Sequence, residues 1–349
     1  MAETAAGTVA RKADHIRVNL EQDVAGKGPG NGFDEYRFLN RALPGIDLAE
    51  VNTATELFDH KLEAPFLISC MTGGTEEARA INQRLAAVAQ ENGFAMGLGS
   101  ARALLEDAAL LDTFAVRSEA PDVLLFANLG AVQLNKGYGV DDCRKLLDLL
   151  QADALVLHLN AIQEAVQPDG DTNFRGLLAK IAALCKRLNA PVIVKEVGWG
   201  IAADTVRDLF DAGVAAVDVA GSGGTSWSEV EKHRIAEPWR ARVAGAFSEW
   251  GIATAECLRE ARAAEPDAVL IASGGIRNGI DAVKAIALGA DAVGIAGPFL
   301  RAAATGEEAA NDLARELREV LRIAMFAIGE RTIADLRDTK RLVRGGRRS

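Results

Sequence analysis

Four hydrogen-bonding side chains follow a single apolar run of the sequence. The run ALVL, residues 154–157, ends in His158, and Asn160, Gln163 and Glu164 follow within six residues. A lone histidine is as often a hydrogen-bonded core residue, but the whole cluster predicts the polar wall of a binding site. Glu164 is a candidate ligand for Mg²⁺, which takes one or two protein carboxylates and completes its shell with water and phosphate oxygens.

A phosphate site is predicted from two glycine-containing segments late in the chain. The sequence SGGIRNGIDAVKAIALGADAVGIAGPFL, residues 273–300, offers backbone N–H groups from Gly274-Gly275 and from Ala296-Gly297. A helix is predicted to begin just beyond each pair, and converging amides and helix dipoles bind phosphate. The alternative is that these glycines only form tight turns.

One lysine ends a buried apolar run. Lys195 closes the sequence VIVK, so its ammonium group is either buried or directed towards the end of the predicted sheet. There it requires an anionic or electron-rich partner. The alternative is a structural salt bridge with Glu196 or Asp218.

The four cysteines show no metal or redox spacing, so reduced thiols are expected.

The elements that position these residues repeat one unit eight times from residue 64 onwards. Apolar, strand-like runs alternate with stretches of helical periodicity such as NFRGLLAKIAALCKRLN and IAADTVRDLFDAG. This alternation predicts a parallel sheet buried on both faces, and eight units close naturally into a (β/α)8 TIM barrel of the α/β class. An open doubly wound sheet is the alternative, but no G-x-G-x-x-G motif opens the first helix.

The polar and glycine residues fall at the predicted carboxyl ends of the strands, where such barrels bind their ligands. The eight ends carry Met71-Thr72-Gly73-Gly74, Ser100 with Arg102, Asn128, His158 with Asn160 and Gln163, Lys195-Glu196, residues 221–225, residues 274–277 and Ala296-Gly297. A random scatter would not concentrate them at one end. The sequence therefore predicts one binding face.

The flanks of the repeat divide the chain into three predicted parts. Residues 1–63 form an N-terminal extension with a short hairpin, residues 64–329 form the barrel, and residues 330–349 form a basic tail. The glycine-rich segment KGPGNGFDEY, residues 27–36, is expected to be a mobile loop. The segment from residue 338 onwards is expected to be a solvated, disordered tail.

Composition limits the function classes. The chain has 349 residues and a formal net charge of −10, which argues against non-specific nucleic-acid binding. No apolar run approaches the roughly 20 residues of a membrane span, and the first residues lack the apolar core of a secretory signal, so a cytoplasmic protein is expected. Because the chain is net acidic, any anion site must be built from local basic groups and backbone amides.

Eight motifs together resemble a known family. They are RKADHI (11–16), MTGG (71–74), GSAR (99–102), HLNAIQE (158–164), KEVG (195–198), GSGGTSW (221–227), SGGIR (273–277) and AGP (296–298). In combination they resemble the type 2 isopentenyl-diphosphate isomerases, which are FMN-dependent barrels of isoprenoid biosynthesis. SGGIR and AGP occur in many FMN barrels, whereas RKADHI and HLNAIQE are far more discriminating.

The resemblance implies a role for each matching residue. FMN would contact Met71, Thr72, Gly73, Ser100, Asn128, Lys195, Thr225, Gly275, Ile276, Arg277, Ala296 and Gly297. The diphosphate substrate would meet Arg11, Lys12, Ser100, Arg102 and Gln163. Gln163, His158 and Asn160 would be catalytic, and Glu164 would hold Mg²⁺. The family interconverts isopentenyl and dimethylallyl diphosphate with reduced FMN as acid/base cofactor, which implies NADPH as a reductant. It also implies a homo-oligomer, a tetramer or octamer.

Two other functions fit parts of the pattern. An FMN-dependent dehydrogenase or oxidase of a small hydroxy acid would share the barrel, but such redox chemistry usually requires a histidine base and arginines for the carboxylate. His158 is the only histidine at a predicted strand end. A non-catalytic sensor of a phosphorylated ligand would need fewer distinct polar strand ends.

Overall fold

The computed structural model describes residues 5–345 and contains a closed barrel of eight parallel strands. The strands are β1 (Phe66–Ile68), β2 (Ala95–Gly97), β3 (Leu125–Gly130), β4 (Ala154–His158), β5 (Val192–Lys195), β6 (Ala216–Asp218), β7 (Leu270–Ala272) and β8 (Ala292–Ile295). Pairing of Val293 in β8 with Phe66 in β1 closes the barrel. The predicted (β/α)8 barrel is confirmed, and the open doubly wound sheet is excluded.

The strand sequences explain how the barrel is filled. One cluster inside the barrel takes alternate residues from all eight strands, among them Leu67, Phe126, Ile193 and Ile271. The intervening strand residues belong to the large outer cluster with the helices. Because successive side chains of a strand point to opposite faces, strands that are apolar at every position are buried on both sides.

Helices surround the barrel and lie on its flanks. They are α1 (Ala5–Glu21), α2 (Glu76–Asn92), α3 (Arg102–Glu106), α4 (Val140–Leu150), α5 (Ala161–Val166), α6 (Leu177–Cys185), α7 (Ala203–Asp211), α8 (Trp227–Arg234), α9 (Pro238–Gly245), α10 (Thr254–Ala264), α11 (Gly279–Ala287), α12 (Gly297–Thr305), α13 (Glu307–Ile328) and α14 (Ile333–Arg337). Short 3-10 helices span Phe33–Glu35, Leu48–Glu50, Ala108–Thr113 and Ala131–Lys136. None of the helices in the described range combines the length and apolar character that a membrane span requires.

The N-terminal extension closes both ends of the barrel. The predicted hairpin is present as Thr55–Leu57 paired with His60–Leu62, and its Leu57 and Leu62 join the cluster inside the barrel. At the opposite end α1 contacts α2, α3, α8 and α12. Ile16 and Val18 of this helix are buried. The segment RKADHI is therefore part of a packed helix over the barrel mouth.

Two expectations about flexible segments were wrong. In the glycine-rich segment 27–36, Asn31 and Phe33 are buried, and Asn31 Nδ2 donates to the carbonyl of Gly275 at 2.8 Å and to Asp281 at 3.0 Å. The basic tail is ordered as far as residue 345, because Leu342–Arg344 pairs antiparallel with Tyr36–Phe38. Residues 346–349 lie outside the described range, and the three-part division of the chain remains a prediction.

Candidate active site

A cavity at the carboxyl ends of the strands gathers nearly all the residues predicted from sequence. It is covered by α1, and its predicted lining residues are Arg11, Lys12, Met71, Thr72, Ser100, Asn128, His158, Asn160, Gln163, Glu164, Lys195, Thr225, Gly275, Ile276, Arg277, Ala296 and Gly297. Two predicted residues, Gly73 and Arg102, are not among the residues that line the cavity. Gly73 packs so closely on Phe114 that a side chain would collide with the ring, and Arg102 is paired with Asp171.

His158 is held as a neutral imidazole in the cavity wall. Its Nδ1 lies 2.9 Å from Asn128 Oδ1, an amide acceptor, and this geometry favours the tautomer with the proton on Nδ1. Burial, together with the charges of Lys195, Lys12 and Arg102, lowers the pKa of His158 to about 3. At neutral pH this residue therefore acts as a hydrogen-bonding group and not as an imidazolium acid.

Asn160 and Glu164 form an oxygen-rich corner at the start of α5. Asn160 Nδ2 donates to Gln163 Oε1 at 3.1 Å and to Glu164 Oε1 at 2.9 Å, which fixes the orientation of its amide. Asn160 Oδ1 is buried and has no hydrogen-bond partner in the described part of the protein. A buried acceptor of this kind requires a donor or a cation from outside the protein. The carboxylate of Glu164 beside it makes the corner suitable for a hard cation or its water ligands.

The structure adds a buried network that the sequence did not predict. The side chain of Glu231 in α8 is fully buried, and its Oε1 accepts from Gln163 Nε2 and from His15 Nε2, each at 3.0 Å. Arg234 pairs with its other oxygen. Burial alone would raise the pKa of Glu231, but the bonds from His15 and Gln163 and the charge of Arg234 outweigh burial and hold it at about 2. Gln163 is thus fixed by an ionised carboxylate from another barrel unit.

Lys12 brings a cation from α1 to the cavity. Its Nζ donates to the carbonyl of Ser100 at 2.6 Å and lies 4.8 Å from the centre of the Phe114 ring. Burial, followed by the charges of Arg11 and Arg102, lowers the pKa of Lys12 to about 7. Arg11 and Lys12 thus bring basic groups to one edge of the cavity, and Arg102 lies within electrostatic reach of Lys12, so this edge suits an anionic ligand.

Lys195 is directed into the cavity and does not pair with its neighbour's carboxylate. Its Nζ donates to the carbonyl oxygen of Glu196 at 2.6 Å. Glu196 Oε2 instead accepts three backbone N–H groups, those of residues 197, 198 and 199, at 2.6–2.7 Å. Asp218, the other proposed partner, accepts from Ser273 at 2.6 Å. The charge of Lys195 is thus available to a ligand in the cavity.

The predicted phosphate cradle is built from two backbones in direct contact. Gly275 has φ +71°, and a Cβ there would come within 2.4 Å of the Gly223 backbone. The N-termini of α11 and α12 begin just beyond Gly275 and Ala296, as the sequence predicted. Arg301 in α12 also lines the cavity and was not predicted, because in sequence it is one more arginine of a surface helix. The amides, helix ends and guanidinium groups fit a phosphate group.

Comparisons with known proteins define the class first. Residues 145–343 match the FMN-dependent dehydrogenase family. A lactate oxidase of Pediococcus acidilactici superposes with a TM-score of 0.67 over 99% of this chain and 96% of its own, at 17% identity. A mandelate oxidase variant gives a TM-score of 0.66 over 99% of both chains, at 22% identity. At such low identity these structures show the fold alone, and the family match makes the protein an FMN-type barrel.

Closer relatives narrow the class. The isopentenyl-diphosphate delta-isomerase of Nostoc sp. is 51% identical over 339 residues, which cover 97% of each chain. That of Oceanobacillus iheyensis is 46% identical over 332 residues, which cover 95% of each chain. The chain therefore belongs to the isopentenyl-diphosphate delta-isomerase family of enzymes, and the resemblance seen in its motifs is confirmed. A non-catalytic sensor is excluded.

Proposed function

We propose that the protein interconverts isopentenyl diphosphate and dimethylallyl diphosphate in isoprenoid biosynthesis, with FMN as an acid/base cofactor and Mg²⁺ on the diphosphate. One observation carries the proposal beyond family membership. The helix α1 places Lys12 beside Ser100 at the cavity edge, while the chain as a whole is acidic. A cationic edge of this kind suits a multiply charged diphosphate better than a single carboxylate.

The residues at the strand ends fit FMN. Gly275, Ile276, Arg277, Ala296 and Gly297 would hold its phosphate in the cradle. Its ring and ribityl chain would contact the other predicted lining residues, Met71, Thr72, Ser100, Asn128, Lys195 and Thr225. Reduced FMN, when bound, supplies a proton donor and acceptor at N5 and an electron-rich face. Such chemistry is required because few side chains are acidic enough to protonate an unactivated alkene near neutral pH. NADPH is the proposed reductant.

The chain's own groups would orient the alkene and exclude water. Gln163 is the proposed residue at the reacting end, because both ends of its amide are held, by Glu231 and by Asn160. Because both ends of this amide are held, its dipole keeps one orientation while charge develops in the reaction, and it is therefore preorganised. His158, with its low pKa, completes the polar wall as a neutral hydrogen-bonding group.

Glu164 and Asn160 are the residues proposed to hold Mg²⁺ or its water ligands. Within residues 5–345 no group of three His, Cys, Asp or Glu side chains could hold a metal. The unpartnered Asn160 Oδ1 and the single carboxylate therefore fit an ion that takes most of its ligands from the substrate diphosphate and water.

The test is incubation with isopentenyl diphosphate, FMN, Mg²⁺ and a reductant, with the product read by NMR. We expect dimethylallyl diphosphate to form without stoichiometric consumption of NADPH. A purified protein that takes up no FMN would contradict every flavin-based function. Reduction of bound FMN by a small hydroxy acid, with no dimethylallyl diphosphate formed, would favour the alternative, a dehydrogenase or oxidase of a hydroxy acid. The shared fold allows that activity, but the low pKa of His158 opposes it, because the imidazole would be a weak base.

A homo-oligomer, either a tetramer or an octamer, is also proposed. The support is an exposed apolar face on α9 and the segment after it, where Trp239 is 61% and Trp250 is 62% exposed. Exposed aromatic patches commonly mark protein interfaces. Light scattering on the wild type and on Trp239→Ser would test this, and a monomeric wild type would contradict it.

The cytoplasmic location and the absence of nucleic-acid partners remain predictions from composition.

A further inference from the structure

Asp171 lies on the loop after α5, close to the proposed diphosphate site but outside the residues that line the cavity. We propose that Asp171 is a positioning residue that fixes the Arg102 guanidinium beside the cationic edge of the active site. The inference rests on the proposed function, because it assigns Arg102 to the diphosphate of the substrate. It adds a residue that neither the motifs nor the lining of the cavity indicated.

The backbone of Asp171 is tied to Glu164. Glu164 Oε2 accepts from the Asp171 N–H at 2.6 Å, and Gln167 Nε2 donates to the same oxygen at 2.5 Å. The loop turns back sharply at Gly170, where a Cβ would come within 1.9 Å of the Glu164 carbonyl oxygen. Only glycine permits this approach, so the position of Asp171 relative to α5 is set by the chain itself.

The side chain of Asp171 is anchored by the 3-10 helix that follows β3. Its Oδ1 lies 2.6 Å from Lys136 Nζ, and its Oδ2 accepts from Gln133 Nε2 at 3.1 Å. Arg102 Nη1 lies 3.6 Å from the same Oδ2. The carboxylate is thus held from one side and presents its charge to Arg102 on the other.

Arg102 is held between two carboxylates. Its Nε lies 3.4 Å from Glu106 Oε1, and Tyr138 O–H donates to that oxygen at 3.0 Å. The Arg102 side chain is only 14% exposed and that of Asp171 only 16%, so their interaction is partly shielded from water. The charge of Arg102 contributes to the lowered pKa of Lys12, which places Arg102 within electrostatic reach of the cavity edge.

These contacts give Asp171 a specific task. A free arginine side chain samples many rotamers, and a ligand that orders it loses affinity through that entropy. Asp171 removes part of this freedom before the substrate arrives. Because the Asp171 backbone also bonds to Glu164, Asp171 fixes the distance between Arg102, which is proposed to meet the diphosphate, and Glu164, which is proposed to hold Mg²⁺.

The test compares Asp171→Asn with Asp169→Asn as a matched control on the same loop. Asp169 is exposed and has φ +59°, a conformation that asparagine also adopts, so its substitution removes one charge without disturbing the turn. For Asp171→Asn we expect the KM for isopentenyl diphosphate and the Kd for inorganic diphosphate to rise about tenfold. We expect kcat to stay within about twofold, and FMN affinity and melting temperature to match the control.

A second variant protects the test from a folding defect. Lys136→Met loosens the anchor of Asp171 without contacting Arg102, and we expect a smaller rise in KM, about threefold. Unchanged KM and diphosphate affinity in both variants would overturn the inference, as would a loss of kcat and FMN binding in step with KM. If the wild type binds diphosphate but forms no dimethylallyl product, the proposed function fails, while the dependence of diphosphate affinity on Asp171 still decides the inference.

Discussion

Lys12 provides the sharpest test of how α1 serves the active site. Its pKa falls from 10.5 to about 7, first because of burial and then because of Arg11 and Arg102. In the free enzyme the amine is therefore neutral over much of the range above pH 7. A diphosphate bound beside it would return the pKa towards its ordinary value. Substrate binding should consequently take up a proton.

The magnitude follows from the shift. At about 1.4 kcal/mol for each pKa unit, holding Lys12 charged in the free enzyme costs up to about 5 kcal/mol. At pH 8 about nine-tenths of the free enzyme carries neutral Lys12, so binding should take up about 0.9 proton at this residue. Because the lowered pKa belongs to the free state, the Kd should be lowest below pH 7 and should rise by up to about tenfold for each pH unit above it.

Calorimetry in buffers of different ionisation enthalpy measures this proton uptake directly. The enzyme carries oxidised FMN and Mg²⁺ without a reductant, so that no turnover is expected during titration with isopentenyl diphosphate. Lys12→Met corrects for protonation of the substrate itself and should lack the uptake. Lys12→Arg, whose guanidinium stays charged, should bind the substrate with an affinity that varies little between pH 7 and pH 9.

The result that refutes this reasoning is an uptake at pH 8 that is the same in wild type and Lys12→Met. It would mean that Lys12 is already charged in the free enzyme, or that the diphosphate does not approach it. A loss of FMN in Lys12→Met would point instead to a role in the cofactor site.

Three further predictions concern charged residues in and beside the cavity. Glu231→Gln should cost about 3 kcal/mol of unfolding free energy at pH 7, since the native pKa is about 2 against 4.5 unfolded. In urea titrations this difference should shrink as the pH falls below 4.5, and a constant difference would contradict it. Glu164→Gln should weaken the Mg²⁺ dependence of the rate and leave FMN bound, whereas loss of FMN would make the residue structural. Lys195→Ala should lower FMN affinity or its reduction potential, and unchanged values of both would remove this residue from the site.

The barrel and most of its binding face could be predicted because both follow from local rules. Strands that are apolar at every position require helices on both faces, and eight such units close on themselves. The carboxyl ends of parallel strands then meet at one end, so His158, Lys195 and Gly275 could be brought together without coordinates. Gly73 and Arg102 show the limit of that rule, since a strand end does not determine whether a residue lines the cavity or packs beside it.

Contacts between distant segments could not be predicted from the pattern alone. The segment 27–36 is rich in glycine and looked unpacked, yet Asn31 reaches Gly275 and Asp281 more than 240 residues away. The basic tail looked solvated, yet it pairs with a strand some 300 residues earlier. In both cases the local composition was that of a loop, and the partner that orders it is remote in the sequence.

Glu231 shows why the same limit applies to the chemistry. In sequence it is one charged residue among several in α8, which resembles the solvated face of a helix. Its buried carboxylate accepts from His15, which is 216 residues away and belongs to α1, the helix over the barrel mouth. The helix that supplies Lys12 to the cavity edge therefore also completes the network that fixes Gln163. Displacing α1 would remove Lys12 from the cavity edge and would leave the Glu231 carboxylate without one of its donors. The same helix therefore closes the barrel mouth and supplies part of its positive charge.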